Sequence, residues 1–221
     1  MQLNGEFFSG AILWWAGAVY LLVMLQAFRM APWRRLLDNE QAHVFFGACV
    51  CLILLWSMQI PVQSGLSFHL LGVTTFTLMF GWSLGVIGSS LALVGTTLSQ
   101  GGEWELFALN MFIVGVIPVT LTQVILVLVR SLLPKNFFIY VLGNAFITGG
   151  LVAQISNYTA VLLLATNSAV SLEDLNQTVL PFFPMMILPE AMLNGWITTV
   201  VVAFQPAWVS SFSDDLYLKG K

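Results

Sequence analysis

Three ionisable side chains interrupt long apolar runs: His43 in "EQAHVFFG", His69 in "SGLSFHLLG" and Glu190 in "ILPEAMLNGW". In hydrocarbon such groups cost roughly 2.5–3.5 kcal/mol each on insertion scales, so each needs a reason to be there. Neutral imidazole is a common ligand for divalent transition metals. A carboxylate near a helix break can pair with a cation or cap the broken end. His43 opens an apolar run beside Glu40 and Gln41, where an interfacial residue needs no special role. His69 admits two readings on its own: a satisfied histidine at the membrane edge, or a metal donor. Glu190 follows Pro189, and either cation pairing or capping of a helix broken at Pro189 is open to it. The amides Asn110, Gln123, Asn144 and Asn194 also fall inside apolar runs. Their usual use is to link helices by hydrogen bonds.

The elements that must carry these residues are membrane helices. The chain has 221 residues, of which 58% are hydrophobic and 8% charged. Soluble domains carry about 25% charged residues, so this chain cannot cover a water-facing surface. Its apolar runs do not alternate, which excludes a transmembrane β-barrel. The expectation is an all-α polytopic membrane bundle in one domain, 1–221, with about seven transmembrane helices. The predicted spans are 9–28, 43–60, 69–81, 83–99, 106–129, 137–164 and 180–204. The first is a retained span, because the start lacks the basic region of a cleaved signal.

Charge placement argues for seven crossings. Cytoplasmic loops collect Lys and Arg. With the N-terminus outside and the C-terminus in the cytoplasm, Arg29, Arg34, Arg35, Arg130, Lys135, Lys219 and Lys221 all fall inside, while Glu103, Glu105, Glu173 and Asp174 fall outside. That arrangement requires residues 66–100 to go in and come back out, turning near Gly81–Gly85. Gly65, Gly72, Gly81, Gly85, Gly88 and Gly95 crowd this pair, and small residues let membrane helices approach closely. Cys49 and Cys51 sit two apart in one apolar run, point to different helix faces, and are expected to be buried small hydrophobes.

No enzyme signature is present. There is no phosphate-binding Gly-Lys-Ser/Thr loop, so the chain cannot power transport by itself. There is no nucleophile–histidine pattern and no His-Glu-x-x-His pair, and no basic patch for nucleic acid.

Several motifs together resemble the CbiM-like family, the membrane substrate-binding permeases of cobalt and nickel energy-coupling-factor ABC transporters. They are the opening "MQLNGEFFSGAILWW", the Arg-rich loop "FRMAPWRRLL", the stretch "QIPVQSGLSFHLLGVTTFTLMFG", the Asn-Met pair in "LNMFIVGVIP" and the Ile-Thr segment in "NGWITTVVVAF". The resemblance implies a substrate-capturing subunit in the inner (plasma) membrane. Its partners would be a separate membrane coupling subunit and cytosolic ATPase subunits. It implies no resident cofactor, and cobalt, nickel or zinc as cargo. By the same resemblance the amino-terminal segment plugs into the bundle. The metal is then held by the Met1 amine, by Gln2 and by His69, with Glu190, Asn110 and Asn194 as further candidates for the pocket. Family members carry histidine where this chain has Gln2, so the carried-over set is the Met1 amine, the Gln2 backbone nitrogen and His69, with one nitrogen missing. That departure keeps two alternatives open: the same fold binding a small organic substrate, and a membrane scaffold without transport activity.

Overall fold

The computed structural model describes residues 2–3, 8, 10–63, 66–167 and 172–218. Among them six helices are long and apolar enough to cross a membrane. They are α1 (Gly10–Met30), α2 (Asn39–Ser57), α3 (Val73–Gln100), α4 (Trp104–Leu132), α5 (Phe137–Thr166) and α6 (Glu173–Phe204). Nineteen residues or more at about 1.5 Å each give about 28 Å or more, close to the thickness of a bilayer's hydrocarbon core. Asp38 starts α2 as an N-cap, accepting the Glu40 N–H at 2.8 Å.

The bundle is built round α3. Of its apolar window 72% is buried, against 6% for α1, which lies along the outside. What makes α3 central is a fold within it. Gly81 has φ 81° and ψ 176°, a conformation essentially confined to glycine, and it turns the run back on itself. Two arms result, 73–80 and 82–100. Side-chain proximity shows that they are antiparallel: a Cβ at Gly85 would touch Thr77 and one at Gly88 would overlap the Phe76 ring. In a straight helix Phe76 and Gly88 would stand about 18 Å apart. The predicted pair 69–81 and 83–99 is thus seen as two arms of one run. The first arm is short, eight residues or about 12 Å, and does not cross by itself. It begins at Val73 instead of position 69 because residues 66–72 are not helical. All eight of its residues are buried.

Short strands precede it: β1 (Gln2–Leu3), β2 (Ile60–Gln63) and β3 (Leu66–Phe68). They form one antiparallel sheet in the order β1-β3-β2. The register sets Gln2 opposite Ser67 and Leu3 opposite Leu66 on one side of β3. On the other side Ile60 faces Phe68 and Pro61 faces Ser67. The sheet brings the amino-terminal segment onto the chain that leads into α3.

Two expectations are corrected. Cys49 is buried, but Cys51 is exposed on the other face of α2. The backbone of α6 is not broken at Pro189: Phe183–Phe204 runs helical through it.

Candidate functional site

The approach to α3 is a non-helical strap, residues 69–72, whose peptide groups bond to neighbouring helices. Two helices answer them. Trp56, buried at the end of α2, donates its Nε1–H to the Leu71 carbonyl at 2.9 Å. From α6, Glu190 accepts the Leu71 N–H on Oε2 and the Gly72 N–H on Oε1, both at 2.8 Å. The Asn194 side-chain NH2, one turn along the same helix face, donates to Glu190 Oε1 at 2.8 Å. A carboxylate with three donors is held in place just ahead of the first arm, at its N-cap residue Gly72, and its charge faces the positive end of that arm's dipole. Glu190 thus holds the strap that leads into α3, and its own helix has no break at Pro189 for it to cap.

Asn194 extends the link inward. Its Oδ1 accepts the Thr75 N–H at 2.9 Å, and the Thr75 hydroxyl donates to the Asn194 carbonyl at 3.0 Å and lies 3.0 Å from the Thr198 hydroxyl. On the facing side Thr74 and Thr122 hydroxyls meet at 3.2 Å. Buried polar groups that are all paired fix one arrangement of neighbouring helices.

Asn110 does the corresponding work for the amino-terminal segment. Its Oδ1 accepts the Leu3 N–H at 2.7 Å and its Nδ2 donates to the Leu3 carbonyl at 2.9 Å. One amide thus pairs with both backbone groups of a single residue, as a neighbouring strand would. The helix widens into a π-turn at Phe112–Val116 directly afterwards, a feature frequent at functional positions. Leu3 is held between Asn110 and β3.

His69 sits where these two attachments converge, 6% exposed, its ring 5.8 Å from that of Trp56. It lies ahead of α3, outside the spanning helices. Burial pushes its pKa well below the ordinary histidine value, so the ring is neutral. Its Nδ1 is 3.0 Å from the Leu70 carbonyl. A carbonyl only accepts, so Nδ1 carries the proton and Nε2 keeps its lone pair. Nε2 is buried and has no hydrogen-bond partner among the described residues. An imidazole oriented through Nδ1–H to a carbonyl, with a free Nε2, has the form that metal-ligating histidines adopt.

The structure thus places Gln2, His69, Asn110, Glu190 and Asn194 in one connected assembly. Gln2 enters it through its backbone, opposite Ser67 and two positions before His69. Met1 lies outside the described residues. His43 stands apart, exposed at the start of α2. Asn144, expected to link helices, is buried with neither amide atom paired among the described residues. Reasoning from sequence missed Trp56, Thr75 and Thr198. Trp56 looks like any aromatic at the end of a span. The two threonines lie in the otherwise apolar "GVTTFTL" and "GWITTVV", and that polarity was the available signal. No cluster of three or more His, Cys, Asp or Glu side chains occurs among the described residues, so nitrogen donors from the backbone or the amino end would have to complete a metal site.

The model for the cobalt uptake substrate-specific transmembrane region, CbiM, matches residues 3–208. The chain belongs to the CbiM family. Its fold is that of a crystal structure of a transition metal transporter, with a TM-score of 0.74, 19% identity, and 94% of this chain and 93% of that one covered. A truncated transition metal transporter gives the same TM-score at 18% identity, covering 94% of this chain and 99% of the other. No curated protein matches the sequence. A CbiM-family chain is a multi-pass membrane component of metal transport, and the expectations of an all-α membrane bundle and of this family hold.

Proposed function

We propose that this CbiM-family chain is the substrate-capturing subunit of an energy-coupling-factor-type ABC importer, with a divalent transition metal as cargo and cobalt as the first choice. The Met1 amine, the Gln2 backbone nitrogen and His69 Nε2 hold the ion. Glu190, Asn194 and Asn110 fix the strap and the amino-terminal segment that carry those donors. Nitrogen donors suit cobalt and nickel, and zinc is compatible with fewer of them. The observation that carries this reading is the buried Nε2 of His69, unpartnered among the described residues, beside the docked amino-terminal strand. Leaving such a nitrogen unpaired costs free energy, which a bound ion recovers.

In this reading the N-terminus faces outside and the site lies near the outer face of the inner membrane. In its support, Arg35 and Arg130 both reach the segment that follows α6, at the end away from His69, and cytoplasmic ends collect basic residues. A separate coupling subunit and cytosolic ATPases supply the work, because this chain has no nucleotide-binding loop. Calorimetric titration of purified protein with Co2+, Ni2+ and Zn2+ tests the reading. His69→Ala is expected to lower affinity for the preferred ion by at least about tenfold, the loss of one good ligand. Equal binding by both proteins removes His69 from the site.

A further inference from the structure

The first arm of α3, residues 73–80, is fastened at both ends, and the second fastening serves no ligand. The Met79 carbonyl accepts from Arg35 Nη1 at 2.9 Å and from the Ser210 N–H at 2.9 Å. The Leu78 carbonyl accepts from the Ser211 N–H at 3.2 Å and the Ser211 hydroxyl at 2.7 Å. Terminal helix carbonyls have no partners of their own and carry the negative end of the dipole, so a guanidinium suits them. Arg35 also donates from Nη2 to the Trp208 carbonyl and from Nε to Gln41 Oε1, both at 2.9 Å, and its carbon lies 5.7 Å from the centre of the Phe80 ring. One planar fork therefore joins the arm, the start of α2 and the segment after α6. That segment is gripped from α4 and α5 as well, by Arg130 at the Ser211 carbonyl and by the Tyr140 hydroxyl 2.6 Å from that of Ser211.

Between the two fastenings the arm has little freedom. It is buried throughout, and Thr77 bonds back to the Val73 carbonyl at 2.8 Å. A close-packed rod of about 12 Å transmits displacement instead of absorbing it. Its near end is the strap that carries His69.

We propose that Arg35 is a positioning residue for the His69 site. Acting through the buried arm, it sets the placement of the strap against Glu190 and Trp56, and so the aim of His69. The end of the bundle formed by Arg35 and residues 205–211 thereby controls the site at the opposite end. Gln205, Ala207 and Ser210 are exposed there, within reach of a partner subunit that could release the grip. This inference rests on the metal-binding reading.

The test compares full-length wild type, Arg35→Ala, Arg35→Lys and His69→Ala by Co2+ titration and by hydrogen–deuterium exchange without metal. Arg35→Ala is expected to weaken Co2+ binding about tenfold, a typical coupling between distant sites, and to speed exchange across residues 69–80 while α4 and α5 keep wild-type protection. Arg35→Lys, which reaches one carbonyl but cannot bridge two, falls between. His69→Ala loses binding with exchange at 73–80 unchanged. Wild-type affinity and exchange in Arg35→Ala overturn the inference, and so does a loss of protection spread over the whole bundle. Should Arg35→Ala fail to fold, Ser211→Ala removes the hydroxyl bond to Leu78 and gives a smaller change of the same sign; no change overturns the inference. If wild type binds no Co2+, the metal reading fails, and the exchange data alone decide whether Arg35 governs the strap.

Discussion

The two ends of the arm 73–80 solve opposite problems. At one end, free N–H groups of Leu71 and Gly72 meet the Glu190 carboxylate. At the other, free carbonyls of Leu78 and Met79 meet Arg35 and two serines. The first end is sealed by fully buried groups, whereas Arg35 is only half-buried. The difference shows how a helix can be broken within an apolar bundle: each freed peptide group needs a hydrogen-bond partner from a neighbouring element, and the end held by Glu190 is the more deeply buried. The deeper end is also the one beside the candidate ligand.

Glu190→Ala leaves two buried N–H groups without acceptors, and each such group costs about 1–3 kcal/mol. The expected loss is therefore about 2–6 kcal/mol, the largest here, read from chemical denaturation in detergent. Stability within error of wild type would remove the carboxylate from its role in holding the strap. Gly81→Ala forces an L-residue into a conformation that only glycine adopts easily, and about 1–3 kcal/mol should be lost in the same assay. An unchanged midpoint would mean that the arms are not folded back at Gly81. Thr122→Val removes one hydroxyl contact to Thr74 and should cost about 0.6 kcal/mol, the average for a hydrogen bond inside a membrane bundle. A loss several times larger would place the arm's anchorage on α4 and not at its ends.

Much of the fold was legible in the residues. Apolar length marks helices, and the return at Gly81 was demanded by the placement of Arg130 and Lys135. The site was legible only as an inventory. His69, Glu190, Asn110 and Asn194 stand out because polar groups in hydrocarbon are costly, yet nothing local says what they bond. Pro189 misled, since it predicts a break in α6, while that helix runs on through it and the broken helix is α3. Trp56 was invisible because interfacial tryptophans are common.

By itself the sequence determined that the chain is a bundle of membrane helices and which ionisable and amide groups lie within it, because hydropathy and residue type act position by position. Only the tertiary structure decided the use of those groups. Glu190 holds a strap 119 positions away, and Asn110 grips the backbone of a residue 107 positions away. Such pairings depend on which helix faces meet, and that is a property of packing which no local pattern encodes.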